Sequence, residues 1–411
     1  MYRVLRVVNV RFHQFETGRP ENTPPHSQLP HPTMPSISDI AGALEAWAPT
    51  GSAQDYDNVG LQIGDPARAV DRGLTALDMT PGVLEEAKET NAQLVVTHHP
   101  LLFRPLDRLT AGGDFVSELA LRTAEAGVAL YAAHTNLDAA PGGVSFALAE
   151  QLGLDDVGFL GQMDDALRKL VVFVPQQHAR PVHRAMADAG AGHIGDYEAC
   201  AFESDGTGFF RPGEGADPFT DTPAGTLEAA DEVRLEVQVE RWRLADVRAA
   251  MTEAHPYEEV AHDVYPVEGA TAQAGLGALG RLPEPEPLSS FLERTADALG
   301  AGSLRYAGPD EDAPVERVAV CGGAGSDFVG QALAAGADAY VTADVTYHEF
   351  FEVLRAEDGA ARMAFVDAGH YETEAITERL LRDVLAERFP AADWRVTETR
   401  TSPMQTFARG A

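Results

Sequence analysis

The sequence predicts an α/β protein: a two-part core with mixed and parallel sheets, interrupted by an α+β insert of ferredoxin-like order. Three observations carry this. Short apolar runs of β-type residues, such as Leu94–Val96 and Val128–Ala133, alternate with amphipathic helical stretches, the pattern of helices packed on a mainly parallel sheet. The style changes near Gly161, after which strands alternate apolar and polar residues, as Val233–Val239 does, like half-buried strands. The first style resumes at Leu288. The boundaries expected are a disordered extension at 1–33, a first core half at 34–163, an insert at 164–286 and a second core half at 287–411.

Residues Met1–Thr33 combine a short basic start with a Pro-, His- and Ser-rich stretch and no sustained apolar segment, so no signal peptide is expected and Met34 reads as a natural start. A helix opens at Ser36–Ile40, with Ser36 or Ser38 as cap and Ile40, Leu44 and Trp47 on one face. The Asx- and Gly-rich stretch Asp55–Asp65 is a turn leading into a short strand. Leu74–Asp78 is a strand, and Thr80–Pro81 starts a helix, with threonine as cap and proline in the first turn. Next comes the strand Leu94–Val96, stopped at His98-His99-Pro100 because proline cannot donate to a ladder. Phe115–Ala126 is a helix, and the strand Val128–Ala133 ends in His134-Thr135-Asn136-Leu137-Asp138.

The insert reads as strand Leu167–Pro175, helix His178–Ala189, strand Glu198–Ser204, a polar loop Arg211–Thr226, strand Val233–Val239, helix Leu244–Ala254 and strand Val260–Val267, a βαββαβ order. Pro283–Pro287 is expected as a stiff hinge closing it. The last part holds the helix Leu288–Leu299 with Ser289 or Ser290 as cap, strands at Val315–Cys321, Ala339–Thr342 and Phe365–Ala368, and a long helix to Arg388. The run Gly322–Gly325 lacks the lysine of a nucleotide-binding loop, and a tight turn is the better reading than an anion cradle. His255-Pro256-Tyr257-Glu258-Glu259 reads as a structural turn between helix and strand rather than a metal site.

Composition narrows the function. The 411 residues carry a formal net charge of −33, which opposes a phosphate backbone as partner. No apolar run is long enough to span a bilayer. The two cysteines, Cys200 and Cys321, form no pattern; they point to a reducing, cytoplasmic setting and exclude a thiolate zinc site.

Parallel neighbouring strands present their C-terminal ends on one side of a sheet, where α/β proteins place their sites. His98, His99, His134 and Asp138 all follow strand ends, and His370 and Glu374, four apart, share a helix face just after another. His98, His99, Asp138, His370 and Glu374 together offer three imidazoles and two carboxylates. Nitrogen and oxygen ligands without sulfur suit zinc, iron, manganese, cobalt or nickel. Five ligands are too many for one open tetrahedral ion and fit two divalent ions sharing a carboxylate.

The segments Asp57-Asn58-Val59-Gly60-Leu61, Thr97-His98-His99-Pro100-Leu101, His134–Asp138 and Gly369–Glu374 resemble the YbgI-like (Nif-three-like) dinuclear metal-centre family, whose members are often called GTP cyclohydrolase I type 2 homologues. The resemblance covers about 36–163 and 288–407, and the insert resembles a PII-like domain. It implies a homohexamer with metal pairs facing an internal cavity, His98, His99, Asp138, His370 and Glu374 as direct ligands with Glu374 bridging, and His134 and His348 lining the pocket. The function expected is a metal-dependent hydrolase acting through activated water on a small molecule, a nucleotide among the candidates, with His134 or His348 moving the proton. The alternative is a non-catalytic metal-binding or regulatory protein whose PII-like insert senses a small molecule.

Overall fold

The computed structural model describes residues 34–163, 165–269, 271 and 273–405. The expectation for 1–33 lies outside the described residues. Helix α1 (Ile37–Trp47) is closed by a capping box: Asp39 N donates to Ser36 Oγ at 3.1 Å and Ser36 N donates to the Asp39 carboxylate at 2.8 Å. Ile37, Ile40 and Leu44 are its buried face. Then follow β1 (Gly60–Ile63), β2 (Arg72–Ala76), α2 (Pro81–Glu89), β3 (Leu94–Thr97), α3 (Phe115–Glu125) and β4 (Ala129–Ala132). Thr80 caps α2 by accepting from Val83 N at 3.3 Å. Strands β2, β3 and β4 are parallel, with Gly73 opposite Leu94 and Leu94 opposite Ala129, and β1 runs antiparallel beside β4. Every residue of β3 and β4 is buried, which is why their sequences are continuous apolar runs rather than alternations.

The chain continues through the single turn α4 (Thr135–Asp138), α5 (Val144–Gln151) and β5 (Asp155–Gln162). The insert then builds β6 (Leu167–Pro175), α6 (Ala179–Asp188), β7 (Ala201–Phe210), β8 (Glu228–Glu240), α7 (Leu244–Ala254) and β9 (His262–Val267). Its sheet runs β7-β8-β6-β9 with every pair antiparallel, the expected ferredoxin-like order. Alternate residues of β8, Val233, Leu235, Val237 and Val239, pack with Val182 and Met186 of α6 and Val247 and Met251 of α7.

The rest comprises β10 (Gly275–Pro287), α8 (Leu288–Leu299), β11 (Arg305–Ala307), β12 (Pro314–Ala324), α9 (Val329–Ala334), β13 (Ala339–Ala343), β14 (Ala364–Asp367), α10 (His370–Glu374), α11 (Ile376–Arg388) and β15 (Asp393–Val396). Parallel β12, β13 and β14 form the middle of a sheet ordered β11-β14-β13-β12-β10-β5. Two expectations differ here. Pro283–Pro287 is no free hinge but the end of β10: among the described residues that strand pairs with β12 alone past Arg281, and the register skips from Arg281 to Glu286, so Pro283 and Pro285 fall in the skipped stretch, where ladder donors are not needed. Helix α8 starts from Pro287 with no side-chain cap, and Ser289 and Ser290 lie inside it.

The two sheets exchange strands. β5 completes the second sheet, and β15 completes the first by pairing with β2, Asp393 opposite Arg72. Leu381 and Leu385 of α11 and Trp394 of β15 accordingly share a core with Ile40, Leu44, Leu94 and Tyr131. That return path carries the start of α10 onto the C-terminal edge of β3.

Candidate metal centre

Beyond β3 the backbone keeps its hold on β2: His98 N donates to Ala76 O at 3.3 Å and His99 N to Leu77 O at 2.9 Å. The two rings stand 5.1 Å apart, tilted by 43°, so the strand's end brings both to one pocket. Glu374 meets them from the other sheet. Its Oε1 lies 3.6 Å from His98 Nε2 and its Oε2 3.0 Å from His99 Nε2. His370, one helical turn earlier, puts its Nε2 3.0 Å from the same Oε2 and 3.4 Å from His99 Nε2. Asp138 closes the group with Oδ1 3.8 Å from His98 Nε2. All five residues expected as ligands therefore converge.

The far side of each ring is held by an acceptor. His98 Nδ1 contacts Ala133 O at 2.8 Å, His99 Nδ1 contacts Asp78 Oδ1 at 2.7 Å, and His370 Nδ1 contacts Asp344 Oδ2 at 2.8 Å. His134 follows the rule, with Nδ1 2.9 Å from Asp57 Oδ1. A carbonyl or carboxylate can only accept, so Nδ1 carries the proton and each Nε2 is free to present a lone pair inward. Asp57, Asp78 and Asp344 hold these rings from behind, and the sequence alone gave none of them a role. The signal existed: Asp78 and Asp344 follow the ends of β2 and β13 as Asp138 follows β4.

Glu374 Oε2 is buried against the ring nitrogens of His99 and His370, while His98 Nε2 and Asp138 Oδ1 are buried and lack a hydrogen-bond partner. Buried polar atoms nearly always have one; here, inward lone pairs and carboxylate oxygens face each other, a donor set that fits a cation. The titration behaviour agrees. Burial opposes charge on His99, yet Asp78 and Glu374 outweigh it and push the imidazole up to about 10. Burial likewise opposes charge on His370, and Glu374 and Asp344 push it up to about 9. Burial raises the Asp138 carboxyl to about 7. All three shifts favour the protonated form, and a divalent cation held there would displace those protons.

The groups His98, His99, His134 and His99, His370, Glu374 each offer ligand atoms within 4.8 Å of one another. Sulfur stays out: burial, helped by the Asp138 and Glu374 charges, pushes the Cys321 thiol up to about 12. His134 stands against the cluster, its ring 5.2 Å from His98 and 5.4 Å from His99. His348 is exposed after β13, its ring 5.2 Å from Tyr347, and makes no hydrogen bond or ring contact with the cluster among the described residues.

The glycine run belongs to this centre. Gly323 has φ +62°, and a Cβ there would fall 2.2 Å from Glu374 Oε1. Its N–H already donates to Thr373 Oγ1 at 3.1 Å, and Gly325 N donates to Thr342 Oγ1 at 3.0 Å. The glycines admit a carboxylate rather than cradle an anion.

A family model, Duf34/NIF3 (NGG1p interacting factor 3), matches residues 35–405. The chain belongs to this family. Among NIF3 relatives, the GTP cyclohydrolase 1 type 2 homolog of Bacillus subtilis (strain 168) is 38% identical over 368 residues, covering 89% of this chain and 96% of the relative. That of Mycobacterium tuberculosis is 40% identical over 363 residues, covering 87% and 93%. The crystal structure of a Bacillus cereus protein related to NIF3 matches with a TM-score of 0.73 at 36% identity, over 91% of this chain and all (100%) of that one. Among the described residues no helix is long and apolar enough to cross a membrane.

Proposed function

We propose that this NIF3 protein holds two divalent metal ions through His98, His99, Asp138, His370 and Glu374 and hydrolyses a small molecule at them. One observation carries the reading: Glu374 turns one oxygen to His98 and the other to His99 and His370, at 3.6, 3.0 and 3.0 Å, the disposition of a carboxylate shared between ions. Bound there, such ions supply a water of lowered pKa and polarise the group attacked. Asp78, Asp344 and the Ala133 carbonyl hold three ligand rings in the tautomer that leaves Nε2 bare.

His134 is the first candidate to take a proton. Asp57 holds its Nδ1 and stays ionised: burial opposes this, but His134 and Thr135 draw the Asp57 carboxyl down to about 2. A fixed carboxylate there stabilises the imidazolium formed when His134 Nε2 accepts a proton. His348, exposed beside Tyr347, is the second candidate. Relatives named GTP cyclohydrolase 1 type 2 homologs make purine nucleotides the first substrate class to test. In this reading the insert is PII-like and the chain assembles as a homohexamer in the cytoplasm.

The test is turnover of a nucleotide and phosphoester panel by metal-loaded protein, with chelated protein and Glu374→Gln as controls. Turnover lost in both controls supports the proposal; no turnover of any panel member by the loaded protein overturns the hydrolytic reading.

A further inference from the structure

The His255–Glu259 motif takes no part in the metal centre, yet it is tied on three sides. His255 Nε2 donates to Phe173 O of β6 at 3.1 Å, while Tyr257 N donates to His255 Nδ1 at 3.1 Å. Tyr257 Oη donates to Glu232 Oε1 of β8 at 2.9 Å. Glu258 Oε1 accepts from Asp217 N of the loop after β7 at 2.8 Å. Gly208 makes room for this bracing, since a Cβ there would fall 2.1 Å from Glu232 Oε2.

What these ties enclose is a cavity of about 580 Å³, within the size range of small-molecule sites. Aromatic rings come to it from four segments: Phe173 of β6, Phe209 of β7, Phe219 of the loop and Tyr257 of the motif. Phe219 and Tyr257 stand 5.9 Å apart, tilted by 48°. The charged lining is lopsided. Asp205, Glu232, Glu258 and Glu259 face Arg211 and Arg234, and Arg234 is already paired with Glu236 at 2.7 Å. The guanidinium of Arg234 also sits 5.9 Å over the Phe173 ring, so one wall already accepts a cation on its π-face.

We propose that this cavity of the insert is a binding site for an organic cation with an apolar body, an arylalkyl ammonium being the simplest case. The rings attract the cationic head through their quadrupoles and bury the body, while the surplus carboxylates exclude anions of the same shape. The site is built from the insert alone and stands whether or not the metal centre turns over substrate.

Calorimetric titration of the full chain with phenethylammonium, 2-phenylethanol and 3-phenylpropionate tests it. The ammonium is expected to bind roughly tenfold or more tighter than the alcohol, with the carboxylate weakest. Phe219→Ala, in the loop, should weaken the ammonium roughly tenfold. Glu259→Gln, which keeps the shape, should narrow the gap between ammonium and alcohol, and both variants should retain parental metal content. The proposal is overturned if no probe binds, if the alcohol or the carboxylate matches the ammonium, or if both variants bind it as the parent does.

Discussion

Replacing Gly323 by alanine separates two costs that the structure places at one residue. The φ of +62° is left-handed, which a Cβ penalises by about 1–2 kcal/mol. The new Cβ would also lie 2.2 Å from Glu374 Oε1 and 3.3 Å from His370 Cε1. Ordinary contact needs about 3.5 Å, so the carboxylate must retreat by roughly 1.3 Å, whereas metal–ligand distances tolerate only about 0.2 Å. Gly323→Ala is therefore expected to lose at least about tenfold in metal affinity. Gly300→Ala is the control: its φ is +63° with nothing within 4 Å of the added Cβ, so it carries the backbone cost alone. Denaturant unfolding of metal-free protein and competition with a chromophoric chelator read the two effects. Both variants should be destabilised, and only Gly323→Ala should lose metal. Parental metal affinity in Gly323→Ala would refute the placement of Glu374 as a ligand.

Asp78→Asn removes the carboxylate behind His99 and should weaken metal binding about 10- to 100-fold in the same competition assay; unchanged affinity contradicts the tautomer argument. Burial pushes the Glu378 carboxyl up to about 7 from an ordinary 4.5, so the native state holds its proton more tightly than the unfolded chain does. Its contribution to stability is full below about 4.5 and is lost as the pH rises through about 7. Glu378→Gln still accepts from Leu77 N and should gain on the parent in thermal denaturation at pH 8 relative to pH 5; equal differences at both pH values would count against it. Ser36→Ala removes the capping box of α1 and should cost about 1 kcal/mol in denaturant unfolding, with metal content intact.

The proposed ligands were legible because each imposes a local interruption. An apolar strand that stops in His98-His99-Pro100 cannot be explained by packing, and the His370–Glu374 spacing declares a helix face. The insert's order was legible from the switch to alternating strands such as β8. The exchange of β5 and β15 between sheets was not, because pairing partners hundreds of residues apart leave no mark in a single short strand such as Asp393–Val396. The contact of Gly323 with Glu374 was hidden for a related reason: a glycine that admits a carboxylate and one that turns a loop look alike until the opposing side chain is known. The cavity of the insert was hidden because its rings come from segments between Phe173 and Tyr257 that only the antiparallel order of β6, β7 and β8 unites.

Anomalous diffraction from crystals of metal-loaded full-length protein tests the central claim most directly. Two peaks about 3.5–4 Å apart are predicted, enclosed by His98, His99, Asp138, His370 and Glu374, with Glu374 reaching both. Density free of anomalous signal at that point, or metal bound only elsewhere, would contradict it.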